Sequence, residues 1–317
     1  MFRIGSYYDL LYLLQLMYLV LCANQKPDEA RTYYGKELAS SDVPFIVGVT
    51  VEDLLCTGTI VLEDTVISAA QCFKSHQPEA VKVYAGANQI TETGLYYEVK
   101  SIHIHPEYKP APTFSVGEFD VAILKLKRKI PSDQGSPINV SVDDWGDDEA
   151  TKKCRTAGFG MHKSATVNEK NVGKLHGSIV KVSRHPDSCS CAVMTNVQKK
   201  SVICLDSRSG DRLCYGDYGG APLVCDRKLV GIAHGQVGCP NFSVPFGDIM
   251  MCGSDNLVDV FLWVRPMLMF LADHLPNIEI PQSLKNNGDK NIPAAFLLFT
   301  TILYQILVYS LFTKIPL

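Results

Sequence analysis

Apolar residues in the body of this chain come in short runs bounded by turn residues. The segments Phe45-Ile46-Val47-Gly48-Val49-Thr50-Val51 and Ala80-Val81-Lys82-Val83-Tyr84-Ala85-Gly86 have the length and β-branched content of strands. Ile102 and Ile104 alternate with His103 and His105, which predicts a strand with one residue type facing in and the other out. Many short strands separated by glycine-rich turns point to an all-β barrel architecture. The two ends break the pattern. Arg3 precedes an apolar run over residues 10–21, and Cys22-Ala23 offers small residues for cleavage, so residues 1–23 read as a secretory signal peptide. A retained signal anchor is the alternative, with a run that is short for a span. Residues 276–293 form a polar, turn-rich linker and residues 294–317 an apolar end. Asn286-Asn287-Gly288, a short spacer and that apolar end resemble a glycosylphosphatidylinositol attachment signal, with a spanning helix or a soluble form as rivals.

Composition narrows the class further. A hydrophobic content of 46% is ample for a packed core, and a net charge of −3 gives no case for nucleic acid or for an anionic membrane surface. No Cys/His spacing asks for a metal, and no cofactor is expected. The acidic stretch over residues 143–149 reads as a solvated loop, with calcium binding as the alternative. Of eleven cysteines, Cys22 leaves with the signal, and the remaining ten can all pair in an oxidising compartment. Asn139-Val140-Ser141 and Asn241-Phe242-Ser243 are glycosylation sequons that fit surface loops.

Three segments carry candidate chemistry. Residues 214–225 read Cys-Tyr-Gly-Asp-Tyr-Gly-Gly-Ala-Pro-Leu-Val-Cys, residues 56–72 end Ser-Ala-Ala-Gln-Cys, and Phe119-Asp120-Val121-Ala122-Ile123-Leu124-Lys125-Leu126 is a strand opened by a carboxylate. Together, over roughly residues 32–275, they resemble the trypsin-like serine proteases, in the chain order expected for that family. The resemblance implies two six-stranded antiparallel β-barrels with a C-terminal helix, the apolar, tryptophan-bearing residues 257–271 having the look of that helix. It makes residues 24–31 a short pro-segment and residues 32–275 the homology domain. Asp120 matches the carboxylate that orients the catalytic histidine, but the histidine position is Gln71 and the serine position is Tyr218. Ala221 looks like an extra residue between the paired glycines and the proline.

A triad needs a neutral imidazole that takes the serine proton while a carboxylate holds its other nitrogen. An amide has no usable pKa near neutrality, so general-base work of roughly 10² to 10⁴ in rate is absent at Gln71. A phenol of pKa about 10 stays protonated without a base and fills space that the scissile carbonyl needs. Gly216 and Tyr218 retain backbone donors of the oxyanion type, which alone leave hydrolysis far from protease rates. His76, five residues beyond Gln71, is either a displaced base or an exposed loop residue, the latter being preferred.

The resemblance also marks a binding groove. His234 and Gly235 fall on its wall, His234 where the family usually places a tryptophan, and Arg212 falls at the floor of the specificity pocket. A cationic floor implies a preference for acidic or neutral side chains; an ordinary pocket-filling or surface residue paired with Asp217 is the alternative. Asp217 matches the carboxylate that receives the new amino terminus of activated relatives, here after Arg31. The implied disulfides are Cys56 with Cys72, Cys154 with Cys225, Cys214 with Cys239, and Cys204 with either Cys189 or Cys191; the member left over pairs with Cys252. The chain is therefore expected to be a catalytically inactive homologue, secreted or held at the extracellular face of the plasma membrane. Its expected partners are proteins, including active serine proteases or their substrates. A membrane-anchored receptor and, last, an unusual endopeptidase are the alternatives.

Overall fold

A computed structural model describes residues 35–91, 94–112, 115–146, 151–160, 173–184, 189, 194–205, 219–239 and 257–288. After a two-residue strand β1 (Lys36–Glu37) come β2 (Ile46–Val51), β3 (Leu54–Leu62), β4 (Thr65–Ser68), β5 (Val81–Ala85), β6 (Tyr97–Ile104) and β7 (Ala122–Leu126). The last six close into an antiparallel barrel in the order β2-β3-β4-β7-β6-β5. Val47, Val49 and Val51 alternate along β2 and join Ile60, Phe73 and Leu124 in its core. Burying each such side chain contributes about 1.5–3 kcal/mol. The opposite face of β2 is covered as well, because Ile46 packs with Val43, Ala157, Phe159 and Leu175.

The second barrel is built from β9 (Lys152–Gly158), β10 (His176–Ser183), β11 (Val202–Leu205), β12 (Pro222–Cys225), β13 (Lys228–Gly238) and β14 (Leu257–Trp263). These run β10-β11-β14-β13-β12-β9, and pairing of β9 with β10 closes the ring. β1 adds to β10, and a short strand β8 (Asn139–Val140) adds in parallel to β13. Disulfides join Cys56 with Cys72, Cys154 with Cys225, and Cys189 with Cys204, which resolves the doublet that sequence left open. Cys239 is also disulfide-bonded. Cys191, Cys214 and Cys252 lie outside the described residues, as do Asn241, the leader and the apolar end. Among the described residues no helix is long and apolar enough to cross a membrane.

Several local expectations need correction. Residues 257–263 are not helical: β14 lies between β11 and β13 and is buried on both faces, and such a run has no periodicity to distinguish strand from helix. The helix is confined to Leu268–His274, after Pro266. Asn139 is exposed as the sequon requires, but it sits on β8 rather than in a loop. The polar linker contains a helix, Gln282–Gly288. That segment belongs to a second unit, Val142–Asp144 with residues 265 onward. Within it Arg265 donates to the Val142 carbonyl at 2.6 Å and meets the Asp144 carboxylate at 3.1 Å. The next residue, Trp145, is buried in the second barrel, so only part of the acidic stretch behaves as a solvated loop.

The alternation at the end of β6 also differs from expectation. Ile102, His103 and Ile104 are all half-buried, and His105 is buried with its ring stacked on Phe119 at 4.5 Å. Its Nδ1 accepts the Glu107 N–H at 3.1 Å. Burial, opposed by the nearby Glu107 charge, pushes the His105 imidazole below its ordinary range. The unfolded chain therefore binds this proton more readily, and stability falls as pH drops below about 6.5. Urea midpoints measured at neutral and mildly acidic pH are expected to separate less in a His105→Asn variant than in the unaltered chain. An equal separation would place the acid sensitivity elsewhere.

Candidate functional site

Asp120 immediately precedes Val121 and β7, at the rim of the first barrel, and is fully buried. Gln71 lies opposite, in the short 3-10 turn Ala70–Cys72 that the disulfide from Cys72 to Cys56 pins against β3. The Gln71 backbone N–H donates to Asp120 Oδ1 at 2.7 Å. Asp120 Oδ2 does not face the Gln71 side chain; it accepts from His234 Nδ1 at 2.6 Å. The Gln71 amide instead donates to the His234 carbonyl at 2.7 Å.

His234 sits on β13 at an irregularity, where the pairing with β14 shifts between Ala233 and Gly235. A bulge of this kind re-aims a side chain, and here it accompanies an imidazole directed at a carboxylate of the other barrel. The ring is 8% exposed, so it is buried rather than presented on an open groove wall. Its second nitrogen, Nε2, accepts the Gly117 N–H at 2.8 Å and lies 3.3 Å from the Ser115 carbonyl. A backbone N–H can only donate, and the shorter contact assigns the neutral ring's proton to Nδ1.

The segment that delivers Gly117 is held from two sides. Lys109 and Glu118 exchange backbone hydrogen bonds at 3.0 and 3.1 Å, with their side chains paired at 2.9 Å. The helix Asn196–Ser201 is capped reciprocally by Thr195 and Gln198, and Gln198 Nε2 donates to the Val116 carbonyl at 2.9 Å. A side chain on residue 117 would bring its Cβ to 3.0 Å from both His234 Cε1 and the Lys109 carbonyl, so the close approach favours glycine. Tyr108 is near enough to feel Asp120: burial, reinforced by that charge, pushes its phenol up to about 12. It therefore adds a neutral wall.

The nucleophile loop is described only from Gly219 onward; Arg212, Gly216, Asp217 and Tyr218 lie outside the described residues. Gly219 presents its carbonyl to the Thr57 N–H at 3.1 Å and to the Ser68 hydroxyl at 3.0 Å. A Cβ on Gly219 would stand 2.4 Å from Cys56 Sγ. Ala221 is buried and pairs with Ala233 as an extension of β12. The extra residue is thus absorbed by the sheet, and counting back from Pro222 brings Gly219, rather than Tyr218, to the place three residues before the proline. Neither residue is serine. His76 is half-buried rather than exposed and faces Glu52 at 3.8 Å, not Asp120. Gly235, beside His234, is half-buried with open space where a side chain would stand.

The site thus brings together Gln71, Asp120 and His234. Gly117 also contributes, through its N–H to His234, and no local sequence signal marks it.

Comparison with known proteins agrees with this architecture. A family model for trypsin matches residues 33–247. A trypsin of Saccharopolyspora erythraea is 26% identical over 215 residues, covering 65% of this chain and 86% of the relative. A trypsin of Simulium vittatum is 30% identical over 197 residues, covering 60% and 74%. Among solved structures, the scabies mite inactivated protease paralogue S-D1 superposes with a TM-score of 0.58 at 23% identity, covering 75% of this chain and 95% of that one. HL collagenase gives 0.60 at 21% identity, covering 77% and 98%. With the family model spanning most of the length and both barrels closed, the chain belongs to the trypsin family.

Proposed function

We propose that this member of the trypsin family does not cleave peptide bonds and acts by binding other proteins, as a regulator, cofactor or decoy of active proteases or as a recognition protein. The observation that carries the reading is the occupancy of Asp120. One oxygen is taken by the Gln71 N–H and the other by His234, whose remaining nitrogen receives the Gly117 N–H. A general base must offer its lone pair to the proton it removes. Here that lone pair is already used, inside the protein, by a backbone donor. Residues 71, 218 and 219 are Gln, Tyr and Gly, so neither a histidine base nor a serine nucleophile stands at those positions.

Likeness to active trypsins supports the scaffold and leaves turnover to the residues themselves. The scabies mite paralogue, inactivated by its own description, shares the fold at an identity that carries nothing more. Disulfides in the described residues favour an exported protein. The apolar residues 294–317 favour, as a second reading, a receptor or adhesion module held at the cell surface.

Incubation with a serine-directed fluorophosphonate and with a panel of peptide amides is expected to give neither labelling nor cleavage above buffer. Stoichiometric labelling, or turnover comparable with a trypsin control, would overturn the reading.

A further inference from the structure

We propose that Asn139 is a site of N-linked glycosylation that the folded chain can carry but cannot receive, so that the glycan is attached before β13 closes on strand β8. The sequon Asn139-Val140-Ser141 is read through two groups at once, the asparagine amide that takes the sugar and the serine hydroxyl two residues on. The fold treats these two differently. Asn139 is exposed, whereas Ser141 is only 5% exposed. None of these residues belongs to the network around Asp120. The inference rests on export, which the disulfides favour, and not on loss of catalysis.

Backbone hydrogen bonds hold the segment on both sides of the sequon. The Ser136 N–H donates to the Pro44 carbonyl at 2.9 Å, the Ile138 N–H to the Ile60 carbonyl at 2.9 Å, and the Ser141 N–H to the Leu229 carbonyl at 2.8 Å. Between these anchors Asn139 and Val140 pair in parallel with Lys228 and Leu229 of β13. Ile138 is buried and Val140 half-buried. A transferase that draws this segment into its own cleft has to break the bonds together and uncover Ile138. Only the small fraction of folded chains open at that moment offers the acceptor.

Chain order opens the window in which the sequon can be read. Lys228 is made about 90 residues after Asn139, on the order of 10 s later at ordinary rates of synthesis. Until then β8 has no partner strand, and the Ser141 N–H has no Leu229 carbonyl to meet. The disulfide of Cys154 with Cys225 ties β9 to β12, the strand that leads into β13, so its closure helps to end the window. The donor is an oligosaccharide carried on a lipid pyrophosphate. Asn139 Nδ2 forms a bond to the anomeric carbon, the sugar–phosphate bond breaks with its electron pair leaving on the lipid pyrophosphate, and one amide proton passes to solvent. Because Asn139 is exposed in the finished fold, β8 can dock on β13 with the glycan outside.

The test presents the full mature chain, made without glycan, to solubilised oligosaccharyltransferase and its lipid-linked donor in two states, oxidised and folded or reduced and unfolded. Mass spectrometry reads occupancy at Asn139 itself, so use of the Asn241 sequon does not enter. The reduced chain is expected to be modified, and the folded chain at least about tenfold less. Equal modification of the two states, or none of the reduced chain, would overturn the proposal. A Ser141→Ala variant should stay unmodified at Asn139 even when reduced, and its modification would remove Ser141 from the argument and overturn it likewise. Once oxidised and refolded, the modified chain is expected to melt with the unmodified one; loss of that transition would show that the fold cannot carry the glycan. The assay supplies the transferase directly and reads no hydrolysis, so its failure is distinct from a failure of export or of the non-catalytic reading.

Discussion

An Asp120→Ala variant is expected to lose about 1–3 kcal/mol of stability for each donor it leaves unsatisfied, because it removes the shared acceptor of two hydrogen bonds. The fully buried carboxylate serves the Gln71 N–H and the buried His234 imidazole at once, so its removal takes the acceptor from both. Asp120→Asn should be intermediate. Its single amide oxygen can satisfy one donor, while its NH₂ must face the other, at a cost of about 1–3 kcal/mol. Urea denaturation reads both, as a fall in midpoint with the slope unchanged. If Asp120→Ala shifted stability by less than about 1 kcal/mol, the carboxylate would have to be solvated or mobile, and the assignment of a structural role would fail.

Writing the family's histidine and serine into this chain is expected not to produce a protease. A Gln71→His change combined with Tyr218→Ser or with Gly219→Ser should leave peptide hydrolysis at background, even though it writes a base and a nucleophile back into the sequence. The new imidazole would find Asp120 Oδ2 already held by His234 at 2.6 Å. A base not oriented by its carboxylate loses the advantage on which the triad depends, a factor on the order of 10⁴. Gly219→Ser carries a further cost, since its Cβ would meet Cys56 Sγ at 2.4 Å and Cys72 Sγ at 2.9 Å. Overpacking of this kind costs about 1–3 kcal/mol. Amidolysis rising by two orders of magnitude or more in either double variant would show that His234 yields the carboxylate readily, contrary to the geometry.

The parts of this molecule that sequence made legible are those set by local pattern. The strands near Ile46 and Val81, the disulfide of Cys56 with Cys72 and the carboxylate at Asp120 each follow from a short segment or from resemblance. The partner of that carboxylate does not. His234 is 114 residues from Asp120 in sequence, and its direction depends on a register shift between Ala233 and Gly235 that no residue there announces. The strand over residues 257–263 is hidden from sequence for a related reason. Burial on both faces removes the alternation that would have identified it, and the choice of strand is made by the neighbours β11 and β13. His105 shows the same dependence, because its burial is supplied by Phe119, which arrives from the far end of a loop.

The network around Asp120 also has a mechanical meaning. The ring and carbonyl of His234 belong to one barrel, whereas Gln71, Gly117 and Asp120 belong to the other. The Gly117 N–H is released to exchange with solvent only when its bond to His234 of the other barrel opens, so its protection reports how firmly the two halves of the fold are riveted together.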